Sequence, residues 1–368
     1  MCPRGAVRLD GSLPASLSRH VVTMLRPTLS DAAGRTTTIT VLAVALMTAF
    51  ILSGPAGRAS ATTQAPTDLD HVIHTTPFDG SSVSMQDNEG SAYVPDDGSL
   101  WLADDNGRRL YEVDATSGQE KRTITPSDLN AVPQYGGGPV AGVNRSTDLE
   151  AIAYDADTDS LFVFSGNNQP TDQPTAFRLT RQNGSLELTD YQPLAPVSDF
   201  TAAAWSQVDG TIYVGKEKRI QPYDYEANTA GSPIGAIPGV TDILGMDFSP
   251  DGTELFVTRT LAPPPPAERE TELISVDWET KDVNWRFDLQ PSGMLDARAV
   301  AYVDGALLVS DGFDFRAAGD PLAHAVFVYT AGGSPTDEPS PTDEPSPTDQ
   351  PSPTDQPSPT DQPSPTAP

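Results

Sequence analysis

Residues 245–259, GMDFSPDGTELFVTR, contain the pattern that decides the fold. Small and apolar residues lead to Phe248, and the SPDG segment at 249–252 then predicts a tight turn. Proline presets φ at the second position of such a turn, and glycine tolerates positive φ. Residues 255–257, LFV, follow as a short run of strand-forming residues. Together these features predict a β-hairpin.

The same hairpin pattern recurs four more times along the chain. In each copy, small residues lead to an aromatic residue, a turn rich in Asp follows, and a short apolar run comes last. The copies are SAYVPDDGSLWLADD (91–105), AIAYDADTDSLFVFSG (151–166), AAAWSQVDGTIYVGKE (202–217) and AVAYVDGALLVSDG (299–312). Five copies of one hairpin indicate a repeat architecture.

Further strand-like segments follow most of the hairpins. They are LYEVD (110–114), QEKRTI (119–124), TAFRLTR (175–181), SLELTDY (185–191), ELISVDW (272–278) and DVNWRFDL (282–289). Units of four antiparallel strands, with the inner pair more apolar than the outer pair, are typical of β-propeller blades. The aromatic residues of the five hairpins are Tyr93, Tyr154, Trp205, Phe248 and Tyr302. From their spacing we expect an all-β fold, a β-propeller of five four-stranded blades, with six blades as the alternative.

The last hairpin is followed by only one more strand-like segment, VFVYT at 326–330. The missing fourth strand is available at the other end of the domain, in DHVIHTTPF at 70–78. Pairing of these two segments would close the ring and remove its exposed strand edges. We therefore expect the propeller, residues 70–332, to be closed by its N-terminal strand.

The N-terminal segment has the pattern of a secretory signal peptide. Residues 39–52 form an apolar run, with Arg26 and Arg35 before it and Ala59-Ser60-Ala61 after it. The run is shorter than the ~20 residues that a membrane-spanning helix needs. These features predict a signal peptide over 1–61, a short linker over 62–69, and no membrane span in the mature chain. Translation starts at Met1 or Met24.

At the C-terminal end, the tail 333–368 repeats Ser-Pro-Thr-Asp-Glu/Gln-Pro from Ser334 onward, almost without interruption. Frequent proline prevents helix and sheet, so the pattern predicts an extended, disordered tail without a core. Tails of this kind hold a domain away from a cell envelope, carry glycans on Ser and Thr, or only add solubility. We expect a secreted, extracellular protein, and association with the cell wall is one reading of the tail.

The composition excludes several classes of function. The chain carries a net charge of −29, and the predicted signal peptide removes six Arg but only two acidic residues. So acidic a surface repels nucleic acid and anionic lipid, and it favours cation binding. The single cysteine, Cys2, precedes the predicted cleavage site, which excludes disulfides and thiol catalysis in the mature chain. The G-x-S-x-G pattern of serine hydrolases does not occur in the sequence.

Candidate metal ligands lie where the inner strands begin. Aligned on their aromatic residues, the hairpins place Glu89, Glu150, Thr201, Leu244 and Arg298 at equivalent positions. Carboxylates around a narrow channel need a cation or must raise their pKa, and Ca²⁺ prefers oxygen ligands. We expect Glu89 and Glu150 to bind Ca²⁺ or another divalent ion, with Asp104, Asn167 and Asp311 as further candidate ligands. The alternative is a set of solvated loop acids, some of them paired with Arg259 and Arg298.

The segments SPDGTELFV, PDDGSLWLADDNGRRLYEVD and LEAIAYDADTDSLFVFS resemble blades of secreted NHL-repeat, phytase-like and gluconolactonase-like propellers. Gluconolactonase-like enzymes hold a metal with one Glu and several Asn or Asp on inner strands. Glu89 matches the first of these, whereas Thr201, Leu244 and Arg298 differ from the rest. Phytase-like enzymes bind several calcium ions beside phosphate-binding Lys and Arg, a role for which Lys216, Arg259 and Arg298 are candidates.

Two classes of function remain open at this point. The first is a monomeric binding or scaffold propeller that takes a small molecule, a glycan or a protein partner at its channel mouth. The second is a metal-dependent hydrolase that acts on phosphate or carboxylic esters. Propellers include proteins of both classes, so the fold alone does not distinguish them, and the function has to be inferred from the residues at the channel.

Overall fold

The computed structural model describes residues 62–75, 85–137, 144–166, 172–195, 199–261, 270–312 and 320–330. All of them belong to one unit, Ser60–Pro368. The predicted signal peptide and the repeat tail lie outside the described residues, and so does Asn167.

The described residues form five four-stranded antiparallel sheets, in which each strand pairs with the next one outward. This arrangement confirms the predicted five-bladed β-propeller. Blades 1 to 4 follow the order of the chain. Blade 1 has β2 (Asn88–Val94), β3 (Ser99–Asp104), β4 (Arg109–Asp114) and β5 (Glu120–Ile124); blade 2 has β6 (Leu149–Asp155), β7 (Ser160–Ser165), β8 (Thr175–Gln182) and β9 (Ser185–Pro193). Blade 3 has β10 (Ala202–Ser206), β11 (Thr211–Lys216), β12 (Arg219–Asp224) and β13 (Thr229–Ala230); blade 4 has β14 (Gly245–Phe248), β15 (Glu254–Leu261), β16 (Glu270–Asp277) and β17 (Val283–Asp288).

Blade 5 is built from both ends of the domain, as predicted. It combines β18 (Ala297–Val303), β19 (Ala306–Asp311) and β20 (Val326–Thr330) with the N-terminal strand β1 (Leu69–Ile73). Strand β1 pairs antiparallel with β20, and Val72 lies opposite Phe327. The pairing gives β20 a neighbour on its outer side, so the last sheet is as complete as the other four.

The turns of the hairpins have the predicted chemistry. In the SPDG turn the Gly252 N–H donates to the Ser249 carbonyl (2.8 Å), and Gly252 has a φ of 67°. The turn between β8 and β9 consists of Asn183 and Gly184, both with positive φ, as a two-residue hairpin turn of this sequence requires.

The insertion between blades 1 and 2 contains a helix that the repeat pattern does not predict. Helix α1 (Pro126–Ala131) begins with a capping box, in which Thr125 and Asp128 satisfy each other's backbone N–H groups. Proline at its first turn also favours helix initiation. None of the helices in the described part of the chain has the length and apolar character needed to cross a membrane.

The apolar core lies mainly between neighbouring blades. Trp101 of blade 1, for example, belongs to the same buried cluster as Leu161 and Phe177 of blade 2. Each inner strand also contacts the inner strand of the next blade, so that β2, β6, β10, β14 and β18 form a closed ring around a central channel.

The channel is narrowest near the start of the inner strands, where Gly90, Ala151, Ala202, Gly245 and Ala299 occupy equivalent positions. A Cβ added to Gly90 would lie 2.8 Å from the Glu150 carbonyl oxygen, and one added to Gly245 would lie 2.2 Å from that of Arg298. The cavity at this level has a volume of about 10 Å³, which is close to the minimum for one water molecule. This waist separates the two ends of the channel.

We expect the closing strand to contribute strongly to stability. Ile73 of β1 is 4% exposed and packs with Val326 and Leu308. The substitution Ile73→Ala leaves a cavity and should lower the free energy of unfolding by about 2–4 kcal/mol. His71→Ala, at an exposed position of the same strand, should change it by less than about 0.5 kcal/mol. Urea denaturation measures both, and equal small effects would contradict a stabilising ring closure.

Candidate metal centre at the acidic mouth

The end of the channel where the inner strands begin is rich in carboxylates, and we call it the acidic mouth. Glu89 of blade 1 and Glu150 of blade 2 occupy equivalent positions there, four residues before the aromatic residue of each hairpin. Both line the narrow part of the channel together with Thr201 and Leu244. The structure therefore brings the two predicted metal ligands to a common pore.

A second ring of acids lies two residues further toward the mouth. The residue six positions before the hairpin aromatic is an aspartate in every blade: Asp87, Asp148, Asp199, Asp242 and Asp296. This position lies in the same register as Glu89 and Glu150, two residues before them along the chain. The signal was therefore available in the sequence, because the same alignment places one aspartate per blade.

Two of these aspartates and one glutamate of the first ring form a compact group between blades 2 and 3. One carboxylate oxygen each from Asp148, Glu150 and Asp199 lies within 4.8 Å of the other two. Gly166 packs against this group, since a Cβ added to it would lie 2.3 Å from oxygens of both Asp148 and Asp199. The absence of a side chain at Gly166 thus leaves room between two carboxylates.

The electrostatics of Glu150 differ from those of Glu89. Burial raises the pKa of Glu150 well above its usual range, and the carboxylates of Glu89, Asp148, Asp105 and Asp199 raise it further. Burial also raises the pKa of Glu89, but there the guanidinium of Arg298 opposes the shift. Close carboxylates cannot all remain ionised without a compensating cation.

Asp105, at the end of β3, belongs to the same electrostatic group. Its pKa is raised to about 7 by burial and by the charges of Asp148, Asp87 and Asp104. Burial and the neighbouring carboxylates thus both favour the protonated form of Asp105 at this end of the channel.

Two of the predicted ligand-binding cations flank the acidic mouth. The Lys216 Nζ lies 2.8 Å from the Asp199 carboxylate. The Arg298 guanidinium lies 2.9 Å from both Glu89 and Asp296. Each of these cations thus already neutralises one or two members of the acid rings.

The third predicted cation, Arg259, makes different contacts. Its guanidinium is paired with Glu272 of β16 (2.6 Å) and donates to the Gly239 carbonyl (3.1 Å). Glu272 also accepts from Arg286 (2.8 Å). Arg259 therefore takes part in an ion-pair network with the outer strands of blade 4.

Asp104 and Asp311, the further candidate ligands, bind backbone groups at the base of their hairpins. The Asp104 Oδ1 accepts the N–H groups of Gln86 (3.2 Å), Asp87 (3.0 Å) and Gly107 (2.8 Å). The Asp311 carboxylate accepts the N–H groups of Leu295 and Asp296 in the same way. We infer that these two aspartates hold the acidic loop before the inner strand in place.

Comparison with known families gives one match in sequence. Residues 27–202 match the model of the Phytase-like family, described as "Esterase-like activity of phytase". This match confirms the predicted resemblance to phytase-like propellers. The matched range includes Asp148, Glu150 and Asp199. No curated protein matches the chain in sequence.

Several solved structures resemble the fold. Hydrazine synthase from Kuenenia stuttgartiensis is 14% identical with a TM-score of 0.35, and the match covers 66% of this chain and 62% of that one. Glutaminyl cyclase from Myxococcus xanthus is 9% identical with a TM-score of 0.45, covering 71% and 94%. Regucalcin from Agrobacterium tumefaciens, a calcium-binding protein, is 14% identical with a TM-score of 0.41, covering 74% and 98%. The match spans less than two thirds of the hydrazine synthase chain. At these identities and TM-scores, the three structures support no conclusion about activity.

The substitution Asp104→Ala tests whether Asp104 stabilises the fold or binds a metal ion. The substitution leaves the N–H groups of Asp87 and Gly107 without their acceptor, so the free energy of unfolding should fall by about 2 kcal/mol or more. The calcium binding expected from the sequence, measured by calorimetry on the folded variant, should not be lost. Asp96→Ala, at an exposed position of the neighbouring turn, is the control and should leave stability unchanged. Loss of calcium binding by folded Asp104→Ala would instead place Asp104 among the ligands.

The acidic mouth should make the metal-free protein less stable as pH rises. The pKa values of Glu89, Glu150 and Asp105 are raised in the folded state. Their contribution is therefore fully present below their unfolded-state pKa and is lost as pH rises through the folded-state values. The melting temperature in EDTA should fall between about pH 5 and pH 8, and Asp105→Asn should reduce this fall.

The matched control is Asp114→Asn. The pKa of Asp114 is lowered by hydrogen bonds from Ser117, so this group titrates at more acidic pH and its substitution should leave the fall unchanged. A melting temperature that rises over the same pH range in EDTA would contradict the predicted excess of negative charge.

Proposed function

We propose that the protein is a secreted or cell-envelope-associated propeller that holds Ca²⁺ at its acidic mouth and binds an anionic ligand beside it. The observation that carries this proposal is the group formed by Asp148, Glu150 and Asp199, whose oxygens approach within 4.8 Å of one another around Gly166. Secretion is the expectation from the signal peptide pattern.

The donor set fits a hard divalent cation. Three carboxylates can supply up to six oxygens, and Ca²⁺ takes about six to eight at bond lengths that tolerate irregular geometry. The charged groups that act most strongly on Glu150 are all carboxylates. A bound cation would therefore offset the repulsion that otherwise forces protons onto these groups.

The neighbouring basic residues favour an anionic ligand. Lys216 is paired with Asp199, one of the three acids of the group, and Arg298 is paired with Glu89 next to Glu150. When Asp199 binds a cation, less of its charge is left for Lys216, and Arg298 lies beside the same group through Glu89. Lys216 and Arg298 then provide N–H donors to an incoming phosphate or carboxylate.

A second candidate function is hydrolysis of phosphate or carboxylic esters. It is favoured by the match to the Phytase-like family, because the matched residues 27–202 include all three acids of the group. A bound Ca²⁺ would supply charge stabilisation for an ester oxygen in the transition state. The role of Lys216 and Arg298 would then be to orient the ester at the mouth.

Calcium titration of the metal-free full chain tests the proposal. We expect saturable binding by calorimetry and a higher melting temperature with Ca²⁺, because a ligand at 100 times its Kd adds about 2.7 kcal/mol of stability. Glu150→Gln and Asp148→Asn should each weaken binding by about tenfold or more, since affinity depends on ligand charge. Asp157→Asn, an exposed turn acid of the same blade, should have no effect.

Gly166→Ala gives a sharper test of the position of the cation, because it adds no charge and removes no ligand. The added Cβ would occupy the space between Asp148 and Asp199, so calcium affinity should fall by about tenfold or more. Unchanged affinity in folded Gly166→Ala and Glu150→Gln would overturn this location of the site.

An ester assay separates the two candidate functions. Calcium-dependent release of nitrophenol from nitrophenyl phosphate or nitrophenyl acetate, lost in Glu150→Gln and reduced in Lys216→Ala, would support the hydrolase. Calcium-dependent binding of phosphate or a phosphate ester without turnover would support the binding protein. Saturable calcium binding with no effect on either anion would contradict the anionic ligand.

A further inference from the structure

The opposite end of the channel contains a cavity with different chemistry from the acidic mouth. It has a volume of about 250 Å³ and is lined by the aromatic residues of all five hairpins, Tyr93, Tyr154, Trp205, Phe248 and Tyr302. We call it the aromatic funnel. Four residues of extended strand separate each aromatic residue from the glutamate position, a distance of roughly 13 Å. The narrow waist lies between the two ends, so the funnel is a separate site.

One carboxylate breaks the symmetry of the funnel. The residue before the hairpin aromatic is alanine in four blades, at Ala92, Ala153, Ala204 and Ala301, and aspartate in blade 4, at Asp247. The backbone N–H groups of Phe248 (2.8 Å) and Tyr302 (2.7 Å) each donate to one oxygen of Asp247. These bonds fix the carboxylate at the wall of the cavity.

The charged groups that line the funnel are all negative. Asp247 and Asp304 are the acids among the lining residues, and no Lys, Arg or His is found with them in the described part of the chain. Each oxygen of Asp247 accepts one backbone N–H and retains capacity for a further donor. A neutral or anionic ligand would leave this carboxylate without charge compensation.

The aromatic rings of the funnel favour a cationic ligand as well. The negative face of an aromatic ring attracts cations, and quaternary ammonium groups are typically bound among several such rings. Four of the five rings, those of Tyr93, Tyr154, Trp205 and Tyr302, are only partly buried and remain available to a ligand. The face of Tyr302 that stacks on Phe256, with centroids 5.6 Å apart, is covered, so this residue offers its other face.

We propose that the aromatic funnel is a second binding site, specific for a small organic cation such as a protonated or quaternary amine. The four partly buried rings surround the alkyl groups of the cation, and Asp247 compensates its charge. The site is independent of the acidic mouth and of the metal proposed there.

The titration of Asp247 gives the proposal a pH dependence. Burial raises the pKa of Asp247 to about 7, so cation binding should strengthen as pH rises through this value. The other ionisable groups lining the funnel are Asp304 and the tyrosines, and Asp251 and Glu254 act on Tyr302. The pKa values of Tyr93, Tyr154 and Tyr302 are raised, so these three remain neutral over this range.

The test compares a cation with its uncharged isostere. Choline and 3,3-dimethylbutan-1-ol have the same shape, but only choline carries a charge. Calorimetric titration of the full chain should show saturable binding of choline and binding of the alcohol that is at least about tenfold weaker. Choline binding should be the same in calcium and in EDTA, because the funnel and the acidic mouth are separated.

Asp247→Ala is the decisive variant, since alanine already occupies the equivalent position of the other four blades. It should weaken choline binding by about tenfold or more, leave binding of the alcohol unchanged, and abolish the pH dependence. Asp282→Asn, at an exposed turn of blade 4, is the charge-matched control and should bind choline normally. If Asp247→Ala does not fold, Tyr93→Leu replaces it and should also weaken choline binding.

The fluorescence of Trp205 reports whether the ligand binds in the aromatic funnel. Choline should change the tryptophan emission of the full chain, and this change should be lost in Trp205→Phe while calorimetric binding is retained, because phenylalanine still offers an aromatic face. Equal affinity for choline and the alcohol, no choline binding up to about 10 mM, or binding of neutral sugars alone would overturn the proposal.

Discussion

The close approach of five inner strands around one axis is the constraint on which the rest of the structure depends. Small residues such as Gly90 and Gly245 allow neighbouring backbones to come so near that an added Cβ would meet a carbonyl oxygen of the next blade. The resulting waist has a volume of about 10 Å³. Side chains before and after the waist therefore meet their counterparts from the other blades in two separate places.

These two places differ in charge compensation. At the acidic mouth, one aspartate per blade and two glutamates come together, and Lys216 and Arg298 pair with some of them. Burial and the neighbouring carboxylates raise the pKa of Glu150 there. At the aromatic funnel, Asp247 lies among the rings where the other four blades have alanine. A symmetric repeat thus produces two different sites because individual blades depart from the shared pattern at single positions.

Much of the fold could be predicted because its determinants are local. Turn chemistry at 249–252 and at Asn183-Gly184 defines hairpins, and the apolar runs define buried strands. The ring closure by β1 was also predictable, since the last unit had one strand too few. Helix α1 was missed because its capping box lies in an insertion with no apolar periodicity. At the candidate site, the predicted ligands Glu89 and Glu150 line the same part of the channel, whereas Asp148 and Asp199, two residues before the glutamate position of their blades, are not among the predicted ligands.

The sequence by itself therefore determined the repeat architecture, favoured five blades over six, and predicted the closure of the ring and the acidic start of the inner strands, because repeated short patterns carry this information. Only the tertiary structure decided which acids meet. Asp104 accepts backbone N–H groups, whereas Asp148 and Asp199 lie on either side of the space next to Gly166. Arg259 forms an ion pair with Glu272, and Arg298 forms one with Glu89. These outcomes depend on how neighbouring blades are oriented, which no single repeat specifies.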